Sequence, residues 1–133
     1  MGGSGYLCVT EDKMKVSEIK ELLNGQFLTE ETEAILEHVI TRAYATDLMS
    51  EVLAYTLENA ALVTGLNNPQ VVRTSEMMDI PLIIFVRAKA PSDEMINMAK
   101  KTGIHIMTTN HSMFNCCGIL HSAGLIGGRG YGK

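Results

Sequence analysis

"PLIIFVRAKAPSDEMINMAKKTGIHIMTTN", residues 81–110, decides the fold. It opens with PLIIFVRA, a continuous apolar run of strand length, the pattern of a strand buried on both faces. Ser92 then stands as a helix N-cap, with Asp93 and Glu94 in the first turn, Lys100 and Lys101 in the last, and Gly103 at the stop. That order of charges suits the helix dipole. IHIMTTN returns as a second apolar strand. Strand, helix and strand in this order make a crossover unit, and a crossover makes its two strands parallel.

The same alternation continues in both directions. Upstream, HVITRAYATD (38–47) reads as a strand ending near Asp47. LMSEVLAYTLE follows as a helix capped by Asp47, with Leu48, Val52 and Tyr55 in helical register. AALVTGL (60–66) is a short apolar strand. Asn68 before Pro69 is the arrangement of an N-cap followed by proline at the first helical position. Downstream, SMFNCCGILHSAG (112–124) reads as a closing helix. Near the start, Ser17 caps a helix through EIKELLN that Asn24-Gly25 ends. QFLT is then a short strand before a polar turn, with a helical turn around residues 30–36 as the alternative. Four strand–helix pairs in succession predict an α/β, three-layer α/β/α domain with a mostly parallel sheet of four to six strands.

The 133 residues suffice for one domain with one core. Residues 1–13 read as a flexible leader, 14–126 as the domain, and 127–133 as a glycine-rich tail. Charged residues make up 20% of the chain, below the usual quarter, which points to surface buried in a homo-oligomer, most simply a dimer. A net charge of −4 without a basic run speaks against nucleic acid as a partner. The apolar run in PLIIFV is too short to span a bilayer, and no apolar stretch of signal-peptide type follows the first residues. A cytoplasmic protein with reduced thiols is expected, since Cys8, Cys116 and Cys117 are too few for a disulfide scaffold.

In a parallel sheet, ligands bind beyond the carboxyl ends of the strands. The turns at that edge carry Asp47, Thr64, Asn67, Asn68, Arg87, Lys89, Thr108, Thr109, Asn110 and His111. These are hydrogen-bonding and cationic groups beside helix N-termini, a combination suited to a small anion such as a nucleotide or phosphorylated metabolite. Caps and turns use the same residue types for purely structural ends. There is no phosphate-loop motif, no dinucleotide fingerprint after a strand, no HExxH and no CxxC. A non-catalytic protein without a cofactor is therefore expected. His38, Asp47 and Glu51 would be the components of any acid–base site, yet strand start, helix cap and solvated helix face account for each.

Cys117 and His121 are one helical turn apart and share a face, whereas Cys116 points about 100° away. Burial as small apolar side chains is the reading preferred for the two thiols. A redox or metal module on Cys116, Cys117 and His121 is the alternative. Met77, Met78, Met95, Met98, Met107 and Met113 are expected to fill core.

AYATDLMSEVLA, TGLNNPQVVRTSEM, IIFVRAKAPSDEMINMAKKTGI and MTTNHSMF are spread over the domain, and together they resemble the DRTGG domain family across residues 16–125. The contiguous string DRTGG does not occur in the chain. The resemblance implies a compact α/β fold similar to the N-terminal, non-catalytic domain of HPr kinase/phosphorylase, here as a stand-alone member. It also implies a regulatory or oligomerising role, since such domains accompany CBS domains in regulated pyrophosphatases. A ligand-free protein–protein adaptor is the other role compatible with that habit.

Overall fold

The computed structural model describes residues 13–55, 59–87 and 90–127. The elements in chain order are β1 (Met14–Lys15), α1 (Val16–Leu23), β2 (Gln26–Phe27), α2 (Glu33–Glu37), β3 (Val39–Ile40), β4 (Arg42–Ala45), α3 (Met49–Tyr55), β5 (Ala60–Thr64), α4 (Gln70–Met77), β6 (Leu82–Phe85), α5 (Asp93–Thr102), β7 (His105–Thr108) and α6 (Met113–Ser122). The main sheet has the order β2-β7-β6-β5-β4. Strands β4 to β7 are parallel, and β2 joins β7 antiparallel with Phe27 opposite Met107. A separate antiparallel pair joins β1 to β3. The predicted α/β class with a mostly parallel sheet is the observed one.

Each central strand sends alternate side chains to opposite faces, as the pleat requires. On β6, Leu82 and Ile84 enter one core with Val16, Ile19, Leu23, Cys116 and Leu120, so α1 and α6 cover that face. Ile83 and Phe85 enter the other core with Val52, Val71, Val72, Met95 and Ala99, so α3, α4 and α5 cover the opposite face. Two cores on either side of one sheet make three layers. The apolar run in PLIIFV is continuous because both of its faces are covered.

Local signals explain most boundaries. The Ser92 hydroxyl accepts the Met95 N–H at 3.3 Å, and Gly103 ends α5 at φ 78°. Asn68 Oδ1 accepts the Gln70 N–H at 2.8 Å, with Pro69 already in helical conformation. Four details depart from expectation. The first helix starts before Ser17, at Val16, because the Glu18 carboxylate accepts the Lys15 N–H at 2.9 Å. The segment 38–47 is two strands broken at Thr41, whose N–H donates to the Asn59 carbonyl at 3.1 Å. On α3 only Met49 and Val52 are buried, while Leu48 and Tyr55 are 57% and 47% exposed. Among the core methionines, Met95 and Met107 are fully buried, but Met77 is 70% exposed at the end of α4. No helix among the described residues is long and apolar enough to cross a membrane.

Candidate functional site

The order β4-β5-β6-β7 runs without reversal, and the helices between these strands all lie on one face. After β7 the chain crosses to the other face as α6. Helix α5 therefore leaves β6 toward one face and α6 leaves β7 toward the other. The position beyond the carboxyl ends of two strands whose connections diverge in this way is the switch point, where open α/β sheets generally hold ligands.

Arg87, Asn110 and His111 stand at this place. Strand β7 continues into its turn as the Thr109 N–H donates to the Phe85 carbonyl at 3.0 Å. The Arg87 N–H donates to the His111 carbonyl at 2.8 Å, tying the two turns together. Arg87 takes φ 63° to do so, a left-handed conformation that costs a side-chain-bearing residue about 1–2 kcal/mol. Its side chain is exposed and its guanidinium makes no hydrogen bond or ion pair with the described residues. Asn110 is exposed and His111 half-buried. His111 also lines an open hollow of about 620 Å³ with Leu22, Asn115 and Gly118.

Of the other predicted residues, Asp47, Thr64, Asn67, Asn68 and Thr109 have structural partners. Asp47 does not cap α3; its Oδ1 accepts the Thr64 hydroxyl and the Gly65 N–H, both at 2.8 Å. Thr46 takes the local role instead, accepting the Leu48 N–H at 3.0 Å and donating to Glu51 at 2.9 Å. Asn67 Nδ2 donates to the Ala90 carbonyl at 3.4 Å and so holds the far side of the Arg87 turn. Asn68 is committed to α4. Thr64, Thr108 and Thr109 are buried, and the Thr109 hydroxyl donates to the Leu23 carbonyl at 2.7 Å. Lys89 lies outside the described residues. All the described residues of the set are at one edge of the sheet, and among them Arg87, Asn110 and His111 combine solvent access with side chains that have no partner among the described residues.

The acid–base trio is not assembled. His38 Nε2 lies 2.6 Å from Asn59 Oδ1 just before β3, near the amino ends of the strands, while Asp47 and Glu51 follow β4 and bond to Thr64 and Thr46.

The thiols separate as helical geometry requires. Cys116 is fully buried, and burial pushes its thiol up to about 12. Cys117 is half-buried, and burial raises its thiol too. It lines a cleft of about 570 Å³ with His121, Tyr44, Ala43, Ala45 and Ile126. Sequence reasoning missed this cleft. Its signal was the pair of small residues Ala43 and Ala45, which leave the sheet face beside α6 thinly filled. Among the described residues, no group of three His, Cys, Asp or Glu side chains is placed to hold a metal ion.

The DRTGG domain family matches residues 18–123. The chain belongs to the DRTGG domain family. This DRTGG domain is also similar to a solved structure described as the CBS and DRTGG domains of the regulatory region of Clostridium perfringens pyrophosphatase complexed with activator, diadenosine tetraphosphate. The likeness has a TM-score of 0.67 at 18% identity and covers 80% of this chain and 45% of that one, so it speaks for the fold. The chain thus spans less than half the length of that regulatory region. Comparison with curated proteins gives no match.

Proposed function

We propose that this DRTGG domain is a non-catalytic regulatory module that senses a small anionic ligand, a nucleotide or phosphorylated metabolite, at the crevice between the ends of β6 and β7. The observation that carries this reading is Arg87: a cation without a partner among the described residues, held in a costly backbone conformation at the switch point. Strain of that kind persists where the surrounding structure enforces it, and it clusters at ligand sites. His111 and Asn110 add hydrogen-bonding groups on the facing turn. The regulatory role is supported by the family, and the anion class by the nucleotide activator bound in the C. perfringens regulatory region.

The test is thermal denaturation with adenine nucleotides, diadenosine tetraphosphate and sugar phosphates. A ligand at about 100 times its Kd stabilises the folded state by about 2.7 kcal/mol, a shift of several degrees in Tm. Arg87→Ala is expected to abolish the shift. Arg87→Gly relaxes the backbone, and is expected to raise ligand-free stability by about 1 kcal/mol while also losing the response. No shift with any of these anions, in wild type or variants, would sink the reading.

A further inference from the structure

The cleft beside Cys117 lies against β4, the strand at the end of the sheet, away from the turns that hold Arg87 and His111. Its deepest residues are apolar: Val63 of β5, Leu120 of α6 and Leu125 after α6 are at most 2% exposed. Its sides are the half-buried Ala43 and Ala45 of β4 and the half-buried Cys117 of α6, with the exposed His121 at the rim. The Ile126 carbonyl accepts the Ala43 N–H at 3.0 Å, so the segment after α6 stands as a third wall. Protein interiors leave few voids, and strands favour branched and aromatic side chains over alanine. Strand β4 nevertheless turns alanine toward α6 at both positions. The space left is about 570 Å³, within the size of small-molecule pockets, about 300–1,000 Å³.

The lining sets the class of occupant. Among the described residues, no Asp, Glu, Lys or Arg lines the cleft. A charged molecule would lose water there without meeting an opposite charge. Cys117 and His121 are one turn apart on α6, so a weak thiol donor and an imidazole stand along one wall. The side chains of the facing wall, Ala43 and Ala45, are hydrocarbon. We propose that this cleft binds an uncharged, mainly apolar small molecule, its hydrogen-bonding group toward His121 and its apolar body between Cys117 and the β4 alanines. Binding removes half-buried apolar surface from water, which drives it. A cavity lined by apolar groups with a few convergent polar ones is the general form of such sites. The proposal does not rest on the anion reading, because it takes other residues and the opposite kind of ligand.

Naphthol and octanol, one a ring and one a chain, are the probes, added to the full chain in a Cys8→Ser background at about pH 8, where imidazole is neutral. At saturation, binding is expected to raise Tm and to suppress labelling of Cys117 by a disulfide reagent. Naphthoate, the same ring system with a carboxylate, is expected to bind at least about tenfold more weakly than naphthol. Ala45→Leu fills the cleft and is expected to abolish both effects while unfolding stays cooperative. Ala43→Val is a smaller filling, expected to weaken both effects should the larger side chain disturb the fold. If neither probe raises Tm or protects Cys117, the proposal is overturned. Binding that leaves Cys117 labelling unchanged, or that survives both alanine substitutions, overturns it equally by placing the probe elsewhere. Naphthoate bound as tightly as naphthol would overturn the uncharged class.

Discussion

Asp47 and Thr64 are joined by a 2.8 Å hydrogen bond in which the buried Thr64 hydroxyl donates to Asp47 Oδ1, and the same oxygen accepts the Gly65 N–H. One carboxylate thereby fastens the turn after β4 to the turn after β5. Asp47→Ala would leave a buried hydroxyl without its acceptor, and is expected to cost about 1–3 kcal/mol. Asp47→Asn keeps an oxygen in place and should recover part of that loss. Urea unfolding of the two variants checks the order; equal stability of Asp47→Ala and wild type would show that the bond contributes nothing.

His105 gives a pH dependence of known sign. Burial is the largest influence on it and lowers its pKa below the usual 6.5, with the charge of His38 acting in the same direction and Glu30 opposing. The folded state therefore binds this proton less readily than the unfolded chain. The contribution is fully present above 6.5, the unfolded value, and is lost as pH falls from there through the folded pKa. Wild-type Tm should drop between about pH 7 and pH 5 by more than that of His105→Gln, because the carboxylates common to both cancel in the difference. Parallel curves would show that His105 does not contribute.

The thiols should differ in reactivity. Attack requires thiolate, and burial holds Cys116 protonated up to about 12. In a Cys8→Ser background at pH 8, a disulfide reagent is expected to label Cys117 slowly and Cys116 not at all until denaturant is added. Cys117→Ser should then be silent in the native state. Rapid native labelling of that variant would place Cys116 at the surface instead of in the core.

Periodicity and caps make much of this architecture legible in the sequence. The helix after Ser92 and the buried strand at 82–85 follow from patterns that local chemistry fixes without help from distant residues. Asp47 was misassigned for the opposite reason. Thr46 and Asp47 are both competent caps, and the choice between them depends on Thr64 and Gly65, which reach them only through sheet pairing. The β1–β3 pair is likewise set by Lys15 and Val39 meeting in space. The edge holding the candidate site was readable from the strand–helix order. Which of its side chains stay uncommitted was not, because Asn67 and Thr109 are occupied by backbone groups from other elements.

The pairing of β2 with β7 has a consequence for how the chain comes together. Phe27 waits for Met107, Leu28 donates to the Ile106 carbonyl, and Ile106 donates to the Thr29 hydroxyl. Strands β4 to β7 each need only the strand before them, so they can assemble in the order in which they are synthesised. Strand β2 leaves the ribosome before all of these yet has its pairing edge only when β7 emerges. The β2 segment is therefore a late-closing seam of this domain, and until β7 arrives its backbone edge and Phe27 stay without their partners.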